Sequence, residues 1–180
     1  MNNQRTSKTS LSLMEIIIAI LFFALASAVC LRLFSGAYLL AEKDKNLDNA
    51  LLWSQNLSEG FYGCKGDINE LGKLFSDSVV TVSDKETDGT IVLFFDENWA
   101  QINSSIEDEA AFEVLMVIEK EKAKDVYSDV EKYKIPLKGN AITGKIAIID
   151  LSTTSYIFSD IPGNEKLIIY QNNVDVYLDN

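Results

Sequence analysis

Ser10-Leu-Ser-Leu-Met-Glu-Ile-Ile-Ile-Ala-Ile-Leu-Phe-Phe-Ala-Leu-Ala-Ser-Ala-Val-Cys-Leu31 is the stretch that decides the fold. Residues 11–31 are apolar or nearly so, and Glu15 is the one charged side chain among them. Because an α-helix rises about 1.5 Å per residue, roughly 20 such residues span the hydrocarbon core of a bilayer. A small soluble core does not usually need so long and so uniformly apolar a run. The stretch therefore predicts a transmembrane helix.

The residues before this helix set its orientation. Residues 1–10 carry Arg5 and Lys8 and no acid, so the positive-inside rule keeps the N-terminus in the cytoplasm and the rest of the chain outside. Ala26-Ser-Ala28 fits the small-x-small site of a secretory signal peptide, and ordinary signal cleavage therefore stays open. Residues 29–34 nevertheless continue the helical pattern without a break, which favours a single-pass protein of the cytoplasmic (inner) membrane.

Glu15 is unusual at this place. A carboxylate near the centre of a membrane helix costs about 2.5–3.5 kcal/mol on insertion scales, so it rarely occurs there without a partner. Two interpretations are open. Glu15 lies at the level of the cytoplasmic headgroups, where it costs little, or it neutralises a cation that another molecule supplies within the membrane.

The basic leader, the small Ser10, the run Leu11-Ser-Leu-Met-Glu15 and the long apolar helix together resemble the prepilin N-terminus of type IV pilins and pseudopilins. In that family the motif reads Gly and then Phe-Thr-Leu-Ile-Glu. Ser10 stands where the family prefers glycine. The helix-kinking proline of many major pilins is missing, and Arg32 lies near that place, which favours a minor pilin or pseudopilin.

The resemblance implies cleavage by prepilin peptidase between Ser10 and Leu11, followed by N-methylation of the new Leu11 amine. It also implies an ion pair between Glu15 and the Leu11 amine of a neighbouring subunit, which would set the register of the subunits. The implied partners are other pilin-like subunits and the membrane, and indirectly an assembly platform and its ATPase. The implied function is a structural subunit of a type IV pilus-like filament in a pilus, type II secretion or competence system, extracellular or periplasmic once assembled.

Two other functions remain open. One is a single-pass, membrane-anchored extracytoplasmic binding or sensory protein whose helix is never processed. The other is a secreted globular protein with an ordinary signal peptide. The position of the cut distinguishes the three hypotheses, because it falls before Leu11, nowhere, or near Ala28.

Composition argues against several other functions. The 180 residues carry a formal charge of -11, whereas a nucleic-acid-binding surface needs a basic patch. The chain has no histidine, which excludes histidine-based triads and histidine-ligated metals. No glycine-rich phosphate loop is present. We therefore expect no enzyme, no cofactor and no nucleic-acid partner.

Acidic residues and cysteines add weaker indications. Residues 84–88 and 107–109 are acidic clusters that could coordinate calcium, but neither has EF-hand spacing. The simpler interpretation is the polar tip of a hairpin and a solvated loop. Cys30 lies in the apolar helix and Cys64 beyond it, so we expect no bridge between them. Cys64 is then either a buried free thiol or the site of an intermolecular bridge.

The helix is predicted to continue past the membrane to about Ser58. A stripe repeats every seven residues, with further members on the adjacent positions; it comprises Leu33, Leu40, Leu47, Ser54 and Phe61, with Ala37, Leu51 and Ser58 beside them. We expect this stripe to pack on the protein's own sheet, with Trp53 in the core rather than serving as a ligand platform. The glycines at 60, 63 and 66 are predicted to break the helix.

Short strands are predicted from residue 79 onward. Asp88-Gly89 and Asn172-Asn173 are expected to form tight turns, between strands 79–82 and 90–95 and between strands 167–170 and 174–178. Residues 112–121 alternate as a strand does, with a helix as the rival interpretation. Residues 145–151 predict a strand, followed by a Ser/Thr turn and a segment at 156–158. Pro136 is expected to end or edge its element.

The predicted fold class is therefore α+β and pilin-like, with a long N-terminal helix packed on a C-terminal antiparallel β-sheet. The predicted organisation is a prepilin leader (1–10), a transmembrane segment (11–34), an amphipathic continuation of the helix (35–60) and a β-rich extracytoplasmic head domain (61–180).

Overall fold

A computed structural model describes residues 3–83, 88–103, 109–128, 137–154 and 156–178 of the chain. The chain divides into two compact units, Met1–Lys45 and Asn46–Asn180. Helix α1 (Asn3–Gly63) contributes residues to both units. Each unit is described separately below.

The long helix is confirmed, and it ends later than the sequence predicts. Gly60 does not break α1, because a Cβ built on it would lie 2.9 Å from the Phe75 ring and 3.0 Å from Leu71. The missing side chain therefore makes room for α2 (Ile68–Leu74) to pack closely. The helix ends at Gly63, and Gly66 then adopts a positive φ of 77°.

The second unit contains an antiparallel sheet of six strands in the order β1-β2-β4-β5-β6, with β3 paired to β2. The strands are β1 (Val79–Val82), β2 (Gly89–Phe95), β3 (Gln101–Ile102), β4 (Phe112–Lys122), β5 (Asn140–Asp150) and β6 (Ile168–Leu178). A short helix, α3 (Ala123–Val126), follows β4, and a 3₁₀ turn (Glu165–Leu167) precedes β6. The predicted α+β class is confirmed.

Both predicted two-residue turns are wrong. Gly89 lies inside the ladder, opposite Val82, and the connection between the two strands is residues 83–88. A Cβ at Gly89 would lie 2.4 Å from the carbonyl oxygen of Thr81, so glycine is needed here for close packing. Asn172 and Asn173 lie within the continuous strand β6, opposite residues 146 and 145 of β5.

The remaining strand predictions have mixed outcomes. Residues 112–121 form β4, so the rival helix is wrong there, and the predicted strand 145–151 is the C-terminal part of the longer β5. Residues 156–158 do not form a strand. Pro136 lies outside the described residues.

One face of the sheet packs on the last turns of α1. Ala50, Ser54, Leu57 and Phe61 are buried there, against strand side chains that include Ile91, Leu93, Val114, Met116 and Ile146. Trp53 packs on Phe95, with 4.6 Å between the ring centroids, as expected of a core residue. The predicted adjacent row is wrong, because Leu51 is 42% exposed whereas Ala50 and Leu57 are fully buried. The contact with the sheet lies on the other side of the stripe.

The opposite face of the sheet is covered by the connection between β5 and β6. Phe94, Leu115 and Ile149 are buried on this face, against partly buried side chains of that connection (Phe158, Ile161 and Leu167). Glu113 is fully buried here, and its Oε2 accepts a hydrogen bond of 3.0 Å from the backbone N–H of Phe158. A buried carboxylate thus ties the connection to the middle of the sheet.

Candidate functional site

The first unit presents an uncovered apolar helix. The most apolar window of α1 has a mean hydropathy of 2.6, and none of it is buried. Large apolar side chains are exposed all around this part of the helix; they include Leu11, Ile17, Ile20, Phe22, Phe23, Leu25, Val29, Leu31, Phe34 and Leu39. By length and composition this helix can cross a membrane, which is consistent with a single-pass membrane anchor.

Water cannot be the surroundings of this helix in the working protein. Leaving one large apolar side chain in water instead of burying it costs about 1.5–3 kcal/mol. The exposed side chains together exceed the 5–15 kcal/mol by which a typical domain is stable. The helix therefore needs a cover of lipid or of protein along its whole length.

The apolar surface is longer than a bilayer can cover. Exposed apolar side chains continue past Arg32 to Leu40, so residues 11–40 form about 44 Å of helix. The hydrocarbon core is about 30 Å thick, and a helix of this length would need a tilt of about 45° to fit, outside the usual range of 0–40°. Lipid accounts for residues 11–31, and the two turns beyond Arg32 need another cover.

The three predicted site residues lie together at the start of this surface. Ser10, Leu11 and Glu15 all belong to α1 and are exposed. Glu15 follows Leu11 by four residues, which places the two side chains on the same face, about 6 Å apart along the helix axis. The Ser10–Leu11 peptide bond and the carboxylate are thus one helical turn apart on an uncovered helix.

A groove higher on the same helix carries a residue that the sequence analysis did not identify. Gly36 lies at its centre, and a Cβ built on Gly36 would meet nothing within 4 Å. Its walls are formed by Val29, Arg32, Leu33, Ala37 and Leu40. The available signal was a glycine in an apolar helical run, where it costs stability unless close packing needs it.

The predicted calcium sites stay predictions. Residues 84–87 and 104–108 lie outside the described residues, and these hold most of both acidic clusters. Asp88 is described, and its Oδ1 accepts a hydrogen bond from the backbone N–H of Lys120. Over the described ranges, no group of three or more potential metal-ligating side chains is present.

The two cysteines are both free, as expected. Cys64 is half-buried just after the end of α1. Burial, and to a smaller extent the Glu70 and Asp67 carboxylates, raise the pKa of its thiol above the ordinary value. Since the thiolate is the reactive form, Cys64 is a weak nucleophile at neutral pH, which agrees with a structural free thiol.

Comparisons with protein-family models, with curated proteins and with solved structures found no match to this chain. Function is therefore inferred from this chain's own residues.

Proposed function

We propose that the protein is a minor pilin or pseudopilin, a structural subunit of a type IV pilus-like filament in a pilus, type II secretion or competence system. The observation that carries the proposal is the placement of Glu15, the single acid near the start of an apolar helix that is uncovered on every side. A basic leader precedes that helix, and its last turns form part of the core of a folded head domain.

Processing is the first step of the proposed function. Prepilin peptidase would cut between Ser10 and Leu11 on the cytoplasmic side, and the new amine of Leu11 would then be methylated. This amine is a cation at the end of an apolar helix, at the depth where Glu15 supplies an anion. Within one chain the amine and the carboxylate are separated by a full helical turn, so the amine of a second chain can meet Glu15 without unwinding the helix.

The ion pair would set the register between subunits more than it would add to their affinity. Desolvation of two charges offsets much of their attraction in a low-dielectric environment. Removing one partner, however, leaves the other buried and uncompensated, which costs about 3–5 kcal/mol. Helices paired in any other register would pay that cost, and the correct register is therefore selected.

Assembly would exchange one apolar cover for another. Lipid surrounds residues 11–31 of the membrane-bound subunit, and helices of neighbouring subunits replace it in the filament. The turns beyond Arg32, which a bilayer does not reach, support this interpretation, because neighbouring helices can cover them. An assembly ATPase, acting through the platform in the membrane, would supply the directional work.

Co-expression with a prepilin peptidase tests the processing step. We expect the full chain to lose residues 1–10 when an active peptidase is present, and a Ser10→Gly variant to be cut at least as efficiently. Ser12→Gly is the matched control, since it makes the same change two residues beyond the bond. A chain that keeps its leader in both the native and the Ser10→Gly forms would contradict the proposal and favour the membrane-anchored binding protein.

A further inference from the structure

The spacing between Leu11 and Glu15 recurs farther along α1. Arg32 and Gly36 are also four residues apart, and each lies 21 residues after its counterpart. We propose that two copies of this chain pack as parallel helices, with Arg32 of one copy seated in the groove at Gly36 of the other. This inference rests on the proposed function, since the pairing of Leu11 with Glu15 sets the register.

The register follows from the spacing alone. If the Leu11 amine of one copy lies level with Glu15 of the other, the two helices are shifted by four residues throughout. Every seventh residue returns to the contact seam of a left-handed helix pair, whose crossing compensates a drift of about 20° per heptad. The third heptad then brings Arg32 level with Gly36. The two heptads between bring Ile18 level with Phe22 and Leu25 level with Val29, and all four of these side chains are apolar and exposed.

The groove at Gly36 has the shape that an arginine needs. Small residues in a membrane helix let a second backbone approach closely, and Gly36 and Ala37 are adjacent small residues. The alkyl stem of an incoming arginine can cover the apolar walls that Leu33 and Leu40 form. Its guanidinium stays at the rim of the groove, in contact with water or lipid headgroups.

The position of the groove favours a second copy over lipid as its occupant. Arg32 lies about 32 Å beyond Leu11 along the helix axis, which places it at the far side of a hydrocarbon core about 30 Å thick. Gly36, one turn farther, lies beyond the acyl chains. A parallel helix shifted by four residues reaches this level and also covers the apolar side chains beyond Arg32.

Site-specific cross-linking tests the register. Two tagged copies of the full chain, each with Cys30 and Cys64 replaced by alanine, would be produced together with the native prepilin peptidase. One copy carries Arg32→Cys and the other Gly36→Cys. We expect a disulfide between the two tags after mild oxidation of membranes and sheared filaments, because a disulfide requires Cβ atoms about 3.5–4.5 Å apart.

Two matched controls give the test its resolution. Ser35→Cys lies about 100° around the helix from Gly36, and Leu40→Cys lies one turn above it. We expect either to cross-link to Arg32→Cys at least about tenfold less than Gly36→Cys does. Equal yield at Ser35 or Leu40, or no bond at Gly36, would overturn the inference.

A variant that fills the groove gives an independent measurement. Gly36→Leu is expected to reduce incorporation of the chain into filaments, whereas Ser35→Leu adds a similar side chain outside the groove and should not. Normal incorporation of Gly36→Leu would contradict the docking. The mass of the same samples separates the two levels of the argument. A chain that starts at Leu11 but fails to cross-link refutes the register alone, whereas an uncut chain refutes the proposed function as well.

Discussion

Replacing Glu15 by alanine should separate membrane insertion from assembly. The carboxylate lies one helical turn above Leu11 on an uncovered apolar helix, so its removal makes the helix more apolar. Insertion should therefore be unchanged or improved. In the filament, however, the Leu11 amine of the neighbouring subunit would lose its only proposed counter-ion.

The magnitude follows from the cost of an uncompensated buried charge. Breaking one partner of a buried ion pair costs about 3–5 kcal/mol, and about 1.4 kcal/mol corresponds to a factor of ten in an equilibrium constant. The Glu15→Ala subunit should therefore compete for a place in the filament at least about 100-fold less well than the native subunit. Headgroup-level placement of Glu15, the alternative interpretation, predicts almost no effect.

The assay is a competition within one cell. Tagged Glu15→Ala and native chains are produced at equal levels, and mass spectrometry compares their ratio in membranes with their ratio in sheared filaments. Ser12→Ala is the matched control, because it removes a polar side chain from the same turn without removing a charge. Incorporation of Glu15→Ala within about threefold of that control would refute the ion-pair role.

Two predictions concern the head domain, and unfolding of the full chain in detergent micelles measures both. Leu57→Ala should lower the free energy of unfolding by about 2–5 kcal/mol, whereas Leu51→Ala, at a 42% exposed position, should change it by less than about 1 kcal/mol; equal effects would contradict the packing of α1 on the sheet. Burial, with a smaller contribution from the hydrogen bond that Tyr127 donates to Asp175, raises the pKa of Tyr127 to about 12 from 10.0. Because the unfolded chain then releases this proton first, the stabilisation is complete below pH 10.0 and is lost as the pH rises toward about 12. The native protein should therefore lose stability over this range more steeply than Tyr127→Phe, and parallel curves would contradict the assignment.

The elements that sequence predicted well have a strong and regular pattern. Strict alternation placed Phe112, Val114, Met116 and Ile118 on one face of a strand, and these four side chains do lie in one core cluster. The long helix was predictable for the same reason. Ser10, Leu11 and Glu15 could be singled out because they are contiguous in the chain, so no knowledge of the fold was needed to bring them together.

The predictions that failed depend on contacts distant in the chain. Gly89 carries the residue pattern of a tight turn, but it is glycine because the neighbouring strand leaves no room for a Cβ. A heptad stripe gives the buried row of a helix without saying which side of it meets the sheet, so Leu51 was chosen over Ala50. The buried Glu113 gave no signal, because its partner is a backbone N–H 45 residues away. Gly36 was missed because its importance lies in what a second chain can place beside it.

The most direct test of the central claim is the intact mass of the protein purified from its native membrane and from sheared filaments, together with its N-terminal residue. A chain that begins at Leu11 and carries one added methyl group on that amine is the result that a pilin-like subunit predicts. A chain that still begins at Met1, or one cut near Ala28, would contradict it.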